Sequence, residues 1–358
     1  MDKVVYLIGT GATMAEMEHQ GIEGRLRMEE IGQAVYEMSK GAGGRYKELH
    51  DIFSFSPNID IEEIISLLEG STYSESEQFK EVCEELREFF RIHLISQIAG
   101  KKVKPEISSS LLHIHKEYGP YMGQSGEEML GILTINYDSL LEEAYVNVHS
   151  GINCGYAFKS KVYKDDSSLP QLLKLHGSFN WKIKKGRIFR KNALEISKIF
   201  EEIEYEDDHS GWMPPSVYKK PMGVFESIWD KAAQLLTECN TLRVVGSSLR
   251  RTDSALLSLI FTSQIKSRVI NGQSFSIELI VSDEDALGSE KNSQAITQRI
   301  KFLDRMAHFS KLDVYPEGFI SKGNVYKEWL QMKIAEIERN KGISLSGDQS
   351  LSERLWEV

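Results

Sequence analysis

The feature that most constrains this chain is a run of apolar residues that stops on glycine: residues 4–8 (VVYLI), followed by Gly9-Thr10-Gly11. A short, unbroken apolar run bounded by a turn signal reads as a strand buried on both faces, the kind found in parallel sheets. A parallel neighbour cannot be reached through a hairpin, so the chain has to return by a right-handed crossover, usually a helix. The same signature recurs four times. Residues 130–135 run into Asn136-Tyr137-Asp138, residues 172–175 into His176-Gly177, residues 242–245 into Gly246-Ser247-Ser248, and residues 277–281 into Ser282-Asp283. Strands alternating with helical segments predict an α/β fold, a Rossmann-like parallel sheet.

The helical parts are read from three- and four-residue spacing. Phe79, Val82, Cys83, Leu86, Phe89, Phe90 and Leu94 fall on one helical face, and the whole of residues 58–118 has this character. It reads as a large helical insertion within the sheet, outside the active centre. Leu140, Leu141 and Ala144 mark a second helix, and Phe225, Ile228, Trp229, Ala232, Leu235 and Leu236 a third. Residues 182–189 form a candidate hairpin around Lys185-Gly186, and residues 200–220 read as charged and loop-rich. Beyond about residue 290 the pattern is mostly helical. The organisation expected is a nucleotide-binding domain over residues 1–290 and a helical C-terminal region, residues 291–358, packed on it.

Composition removes several function classes. A chain of 358 residues with net charge −10 can bury a full core, and its charge argues against a sequence-independent grip on nucleic acid. Its three cysteines, Cys83, Cys154 and Cys239, are far apart and offer neither a CxxC pair nor a disulfide framework, so no zinc or other metal site is expected. Such sparse thiols fit a reducing compartment. The N-terminal apolar run is too short for a membrane span or a secretion signal, and the location expected is cytoplasmic, with no membrane partner.

The chemistry sits on the strand ends. In an open parallel sheet these ends line the crevice where ligands bind, and all five carry small or polar residues. The turn Gly9-Thr10-Gly11-Ala12-Thr13 suits a phosphate: glycine lets the backbone approach, and Thr13 with the helix N-terminal amides supplies donors. It is also a plain tight turn in many strands, and Met14 stands where a full GxGxxG fingerprint has its third glycine. Asn136 carries donors and an acceptor able to hold a ribose hydroxyl or a water. Asp138 has two readings, ligand contact and cap of the next helix. An imidazole titrates near neutrality, so His176, at a strand end, is a candidate general base, against the alternative of a structural histidine. His113 and His115, two apart in a helical segment, read as structural or exposed. Gly246 and Ser247 suit phosphate or ribose, and Asp283 suits a ribose diol. For Asp253 and Asp283 the competing reading is capping and a solvated surface.

Taken in order, these motifs resemble the sirtuin-like family. GTGAT resembles its glycine loop, TINYD its TxNxD element and KLHG its histidine-glycine element. GSSL followed by Asp253 resembles the GxSL segment, and IVSD the last nucleotide-side strand. The resemblance spans about residues 4–285. It implies that Gly9, Gly11 and Thr13 face a pyrophosphate, that Asn136 and Asp138 face the nicotinamide ribose, that His176 is the catalytic histidine, and that Gly246, Ser247 and Asp283 lie on the adenosine side. Protein-deacylating members carry two cysteine pairs after the histidine; here only Cys239 follows it. They also carry a GIPDFR-like stretch, of which Gly21-Ile22-Glu23-Gly24-Arg25 is a degenerate echo. The pattern is closer to zinc-less bacterial relatives that hydrolyse NAD during defence against phage. The resemblance therefore implies an NAD hydrolase, with NAD as substrate and no zinc, in which Asn136 and His176 act on the nicotinamide–ribose bond. It further implies control by homo-oligomer assembly or a second protein subunit. The alternatives are an NAD or ADP-ribose sensor without turnover and an NAD-dependent deacylase.

Overall fold

The structure, a computed structural model, describes residues 1–41, 61–70, 77–149, 169–184, 187–190, 209–216, 219, 221, 223–247, 249–250, 253–282, 316–321 and 323–345. Its centre is a six-stranded sheet built from β1 (Asp2–Ile8), β2 (Glu127–Thr134), β3 (Gln171–Lys174), β7 (Thr241–Val245), β8 (Ser276–Ser282) and β9 (Pro316–Ser321). Every neighbouring pair is parallel, in the order β3-β2-β1-β7-β8-β9. The chain thus lays strands outward from β1 in one direction, then returns and lays them outward in the other. That is the doubly wound arrangement, with its reversal between β1 and β7.

Alternation along each strand divides the core into two layers. Val5, Leu7, Leu133, Leu173, Val244 and Leu279 face one side, where they meet α7 (Val224–Glu238) and α8 (Ser254–Asn271) through Ile228, Leu236, Leu256 and Ile260. Val4, Tyr6, Ile8, Ile132, Leu172 and Ile280 face the other. There they pack on α5 (Glu106–Tyr118), α6 (Leu140–His149) and α9 (Val325–Lys341). Both faces are covered, which is why these strands read as unbroken apolar runs rather than alternating ones.

The five strands expected from sequence are all present. A sixth was not expected: β9 lies in the segment read as mostly helical, and it pairs with β8 from Ile277↔Pro316 to Ser282↔Ser321. Its interrupted sequence, PEGFIS, hides the strand, whereas an edge position with a single neighbour tolerates both proline and glycine. The hairpin around residues 185–186 is present as β4 (Gly177–Lys184) against β5 (Arg187–Arg190), with the turn residues themselves outside those described. A third strand, β6 (His209–Trp212), joins β4 from within the stretch read as loop.

The helical insertion includes α3 (Ile61–Gly70) and α4 (Glu77–Ile98), and α2 (Met28–Gly41) packs with them. Their core joins Ile31, Val35, Ile64, Leu86 and Phe90 to Met17 of α1 (Thr10–His19) and to Tyr137 and Leu140 after β2. The insertion is therefore packed over the carboxyl ends of the strands. No helix among the described residues is long and apolar enough to cross a membrane.

Candidate functional site

Parallel register brings the strand ends level. Ile8 is opposite both Thr134 and Val245, Thr134 is opposite Lys174, and Val245 is opposite Ile280. The loops that follow meet at the point of reversal. Gly9 N–H donates to Val245 O at 2.9 Å, and Gly11 N–H donates to Gly246 O at 2.8 Å. Gly246 has φ +60°, and a Cβ there would lie 2.2 Å from Ala12 N. A Cβ on Gly11 would lie 2.8 Å from the Gly246 Cα. Glycine is thus required because the two loops are packed backbone on backbone. The amide of Ala12 is likewise committed, to Gly9 O at 3.0 Å.

In front of these loops is a cavity of about 370 Å³. Gly11, Thr13, Asn136, Asp138, His176, Gly246 and Ser247 all line it. Gly9 sits one residue behind, as the N-cap of α1. Asp283 lies outside the described residues; its neighbour Ser282 lines the cavity. The opposite wall comes from the insertion, through Glu62, Phe90, Leu94 and Ile98. The insertion, expected to lie outside the active centre, thus lines the candidate cavity.

Asn136 is held by its amide and leaves its oxygen open. Its Nδ2 donates to Gly9 O and to Thr13 Oγ1, each at 3.1 Å, and its backbone N–H donates to Thr134 Oγ1 at 3.0 Å. The side-chain Oδ1 is buried and has no partner. A buried amide oxygen without a donor is costly, so the site favours anything that supplies an O–H or N–H there. Thr13 Oγ1, having accepted from Asn136, passes its own hydrogen to Asp138 Oδ2 at 3.0 Å. Asp138 Oδ1 accepts from Leu140 N–H at 3.0 Å, so the carboxylate starts the helix that follows. Burial pushes the Asp138 carboxyl up, against the pull of Lys174, Leu140 and Thr13. Lys174, itself buried, donates to Asp138 O and pairs with Glu142 Oε2 at 3.2 Å. The loop carrying Asn136 is fixed from both sides.

His176 is buried, and its Nε2 lies 3.3 Å from Asp253 Oδ2. That separation is an ion-pair contact rather than a well-directed hydrogen bond, since Nε2 has no partner of good hydrogen-bond geometry. The imidazole has Tyr137 5.9 Å away between ring centroids and Trp229 stacked at 6.5 Å. Asp253 also caps α8, its Oδ1 accepting from Leu256 N–H at 3.3 Å. Burial alone would raise the Asp253 carboxyl; the charges of His176 and Lys219, with the Leu256 amide, outweigh it and hold it well below the usual carboxylate range. Lys219 Nζ lies 3.8 Å from Asp253 Oδ2 and 2.7 Å from Glu62 Oε1 of α3. Burial, with Glu62 and Asp253 nearby, raises the Tyr137 phenol well above its ordinary value.

Sequence reasoning assigned Asp253 to capping and missed its contact with His176. Its place on the GSSL side of the site was the signal available. Lys219 and Glu62 left none: one lies in a loop and the other in the insertion. No group of three or more His, Cys, Asp or Glu side chains that could hold a metal occurs among the described residues.

The profile of the SIR2-like domain family matches residues 130–293, less than half of the chain. The matched span holds Asn136, His176, Gly246 and Asp253 and leaves out β1 with its glycine loop. No curated protein matches the sequence. Among solved structures, a mutant Sir2 homologue in complex with ADP-ribose is 12% identical, with TM-score 0.47, over 96% of this chain and 94% of the other. A Sir2 homologue in complex with NAD is 11% identical, with TM-score 0.43, over 94% of this chain and 90% of the other. At this level neither structure assigns a role to any residue here.

Proposed function

We propose that this chain binds NAD across the strand ends and cleaves its nicotinamide–ribose bond, giving nicotinamide and ADP-ribose. One observation carries the reading: a buried, partnerless amide oxygen on Asn136 shares a cavity with His176, an imidazole that faces a carboxylate. In this reaction the C1′–N bond breaks and its electron pair leaves with nicotinamide, which departs neutral because it was bound as a cation. An oxocarbenium-like ribose remains, and the protein's task is to hold it, exclude bulk water and deliver one water.

Asn136 Oδ1 accepts from that water or from a ribose hydroxyl. His176 takes the proton released as the water oxygen bonds to C1′, and Asp253 stabilises the resulting imidazolium. The glycine loop does not offer the amides of Gly9, Gly11 and Ala12, which are already bonded. The positive end of α1, whose N-cap Gly9 makes no side-chain cap, supports the diphosphate instead. A chain that consumes NAD needs restraint, and control by self-assembly or a second subunit, in defence against phage, belongs to this proposal.

The test pairs nicotinamide release with NAD affinity by calorimetry for wild type, His176→Ala and Asn136→Ala. Loss of a general base costs about 10²–10⁴-fold in rate, with binding much less affected, since the diphosphate and adenosine are held elsewhere. Binding without any release by wild type, with or without a candidate partner, would replace the hydrolase by a sensor. Consumption of NAD only with an acyl-lysine peptide present would make it a deacylase.

A further inference from the structure

Buried charges in this cavity form a chain that crosses between two parts of the fold. Glu62 enters from α3 of the insertion, Lys219 from the loop after β6, Asp253 from the start of α8, and His176 from the end of β3. The side chains of the first three are each under a tenth exposed, as is His176. Signs alternate along the chain, minus, plus, minus, and His176 is the terminal member. With a neutral imidazole the set carries one net negative charge; with an imidazolium it carries none. Every member of the chain therefore acts electrostatically on the ring, including those that never touch His176.

We propose that Lys219 and Glu62 are positioning residues that set the proton affinity of His176 through Asp253, so that docking of the helical insertion is coupled to the chemistry of the strand ends. This inference rests on the reading of His176 as the proton acceptor. Lys219 competes with the imidazole for Asp253, and Glu62 draws Lys219 away from that competition. Glu18, Arg27, Asp138 and Arg250 also line the cavity. Beside the ring, Tyr137 is tilted against it and Trp229 is stacked on it. The insertion thus supplies the distal charge of the chain as well as a wall of the cavity.

The experiment follows the His176 ring by NMR on protein labelled at histidine, its signal assigned by its absence in His176→Gln. The midpoint of its titration is compared in wild type, Glu62→Gln, Lys219→Met, Lys219→Arg and Asp253→Asn. Asparagine keeps the cap on α8 while removing the charge. Glu62→Gln and Asp253→Asn should lower the midpoint and Lys219→Met should raise it. Each shift should be on the order of one pH unit, with Lys219→Arg close to wild type. Opposite shifts from neighbouring substitutions are not produced by loosened packing. The acid limb of the nicotinamide-release profile should move in the same directions. Equal midpoints in wild type, Glu62→Gln and Lys219→Met would overturn the proposal. Should Lys219→Met not fold, an unchanged midpoint in Glu62→Gln alone overturns it. Shifted midpoints in a protein that releases no nicotinamide would leave the charge chain standing and remove the hydrolase reading.

Discussion

Replacing Thr13 by valine separates two roles for this residue. Valine preserves the shape and the branched Cβ and removes only the hydroxyl, which now accepts from Asn136 Nδ2 at 3.1 Å and donates to Asp138 Oδ2 at 3.0 Å. Asn136 Nδ2 keeps Gly9 O as a partner, so that loss is of an ordinary bond, roughly 0.5–1.5 kcal/mol. Asp138 Oδ2, half-buried on the cavity wall, also loses its donor, a bond to a carboxylate worth roughly 1.5–3 kcal/mol. Together the substitution should destabilise the fold by about 2–4.5 kcal/mol, read as a lower urea midpoint with unchanged slope. Thr13→Ser should recover most of it. Because the hydroxyl fixes Asn136 and donates nothing outward, nicotinamide release should fall at least tenfold while NAD affinity changes little. A Thr13→Val protein of wild-type stability whose NAD affinity has collapsed would refute this. It would mean that the hydroxyl turns outward to a phosphate, as the sequence alone implies.

Gly11→Val should reduce the yield of folded protein, because its Cβ meets the Gly246 backbone 2.8 Å away rather than a ligand; a soluble, native variant with only weaker NAD binding would show the loop is pliable. His115, whose Nδ1 is buried without a partner and whose Nε2 meets Tyr6 Oη at 2.8 Å, is held down to about 3 by burial. Its folded value lies below the unfolded one, so the stability it contributes is present above about pH 6.5 and is lost as pH falls toward 3. At pH 5 that loss is about 1–2 kcal/mol, allowing for the half-buried ring. Burial raises Glu16 to about 7 with the opposite sign, so the measurement is wild type against His115→Gln at pH 7.5 and pH 5. A stability difference that does not change between the two pH values would contradict it. Elemental analysis should find no stoichiometric zinc, given three dispersed cysteines, and chelators should leave the melting temperature unchanged.

Local chemistry wrote much of this protein into its sequence. Residues 4–8, 130–135, 172–175, 242–245 and 277–281 read as buried parallel strands, since runs this short between turn signals fit strand length and not helix length. Given parallel strands, Asn136, His176 and Gly246 had to share one edge of the sheet, because every strand points the same way. What the sequence could not determine depends on long-range approach. Gly11 reads equally as a phosphate cradle or a packing contact until Gly246 is seen against it. Asp253 reads as a helix cap, which it is, until His176, 77 positions earlier, is found 3.3 Å away. β9 carries no unbroken apolar run, because a proline and a glycine that its edge position tolerates interrupt it. Glu62 and Lys219, on a helix and a loop 157 positions apart, carry no pattern at all. Periodicity records which face of an element is buried, while a charge paired across the fold leaves its cause in another segment, so only the tertiary structure could bring these residues to the site.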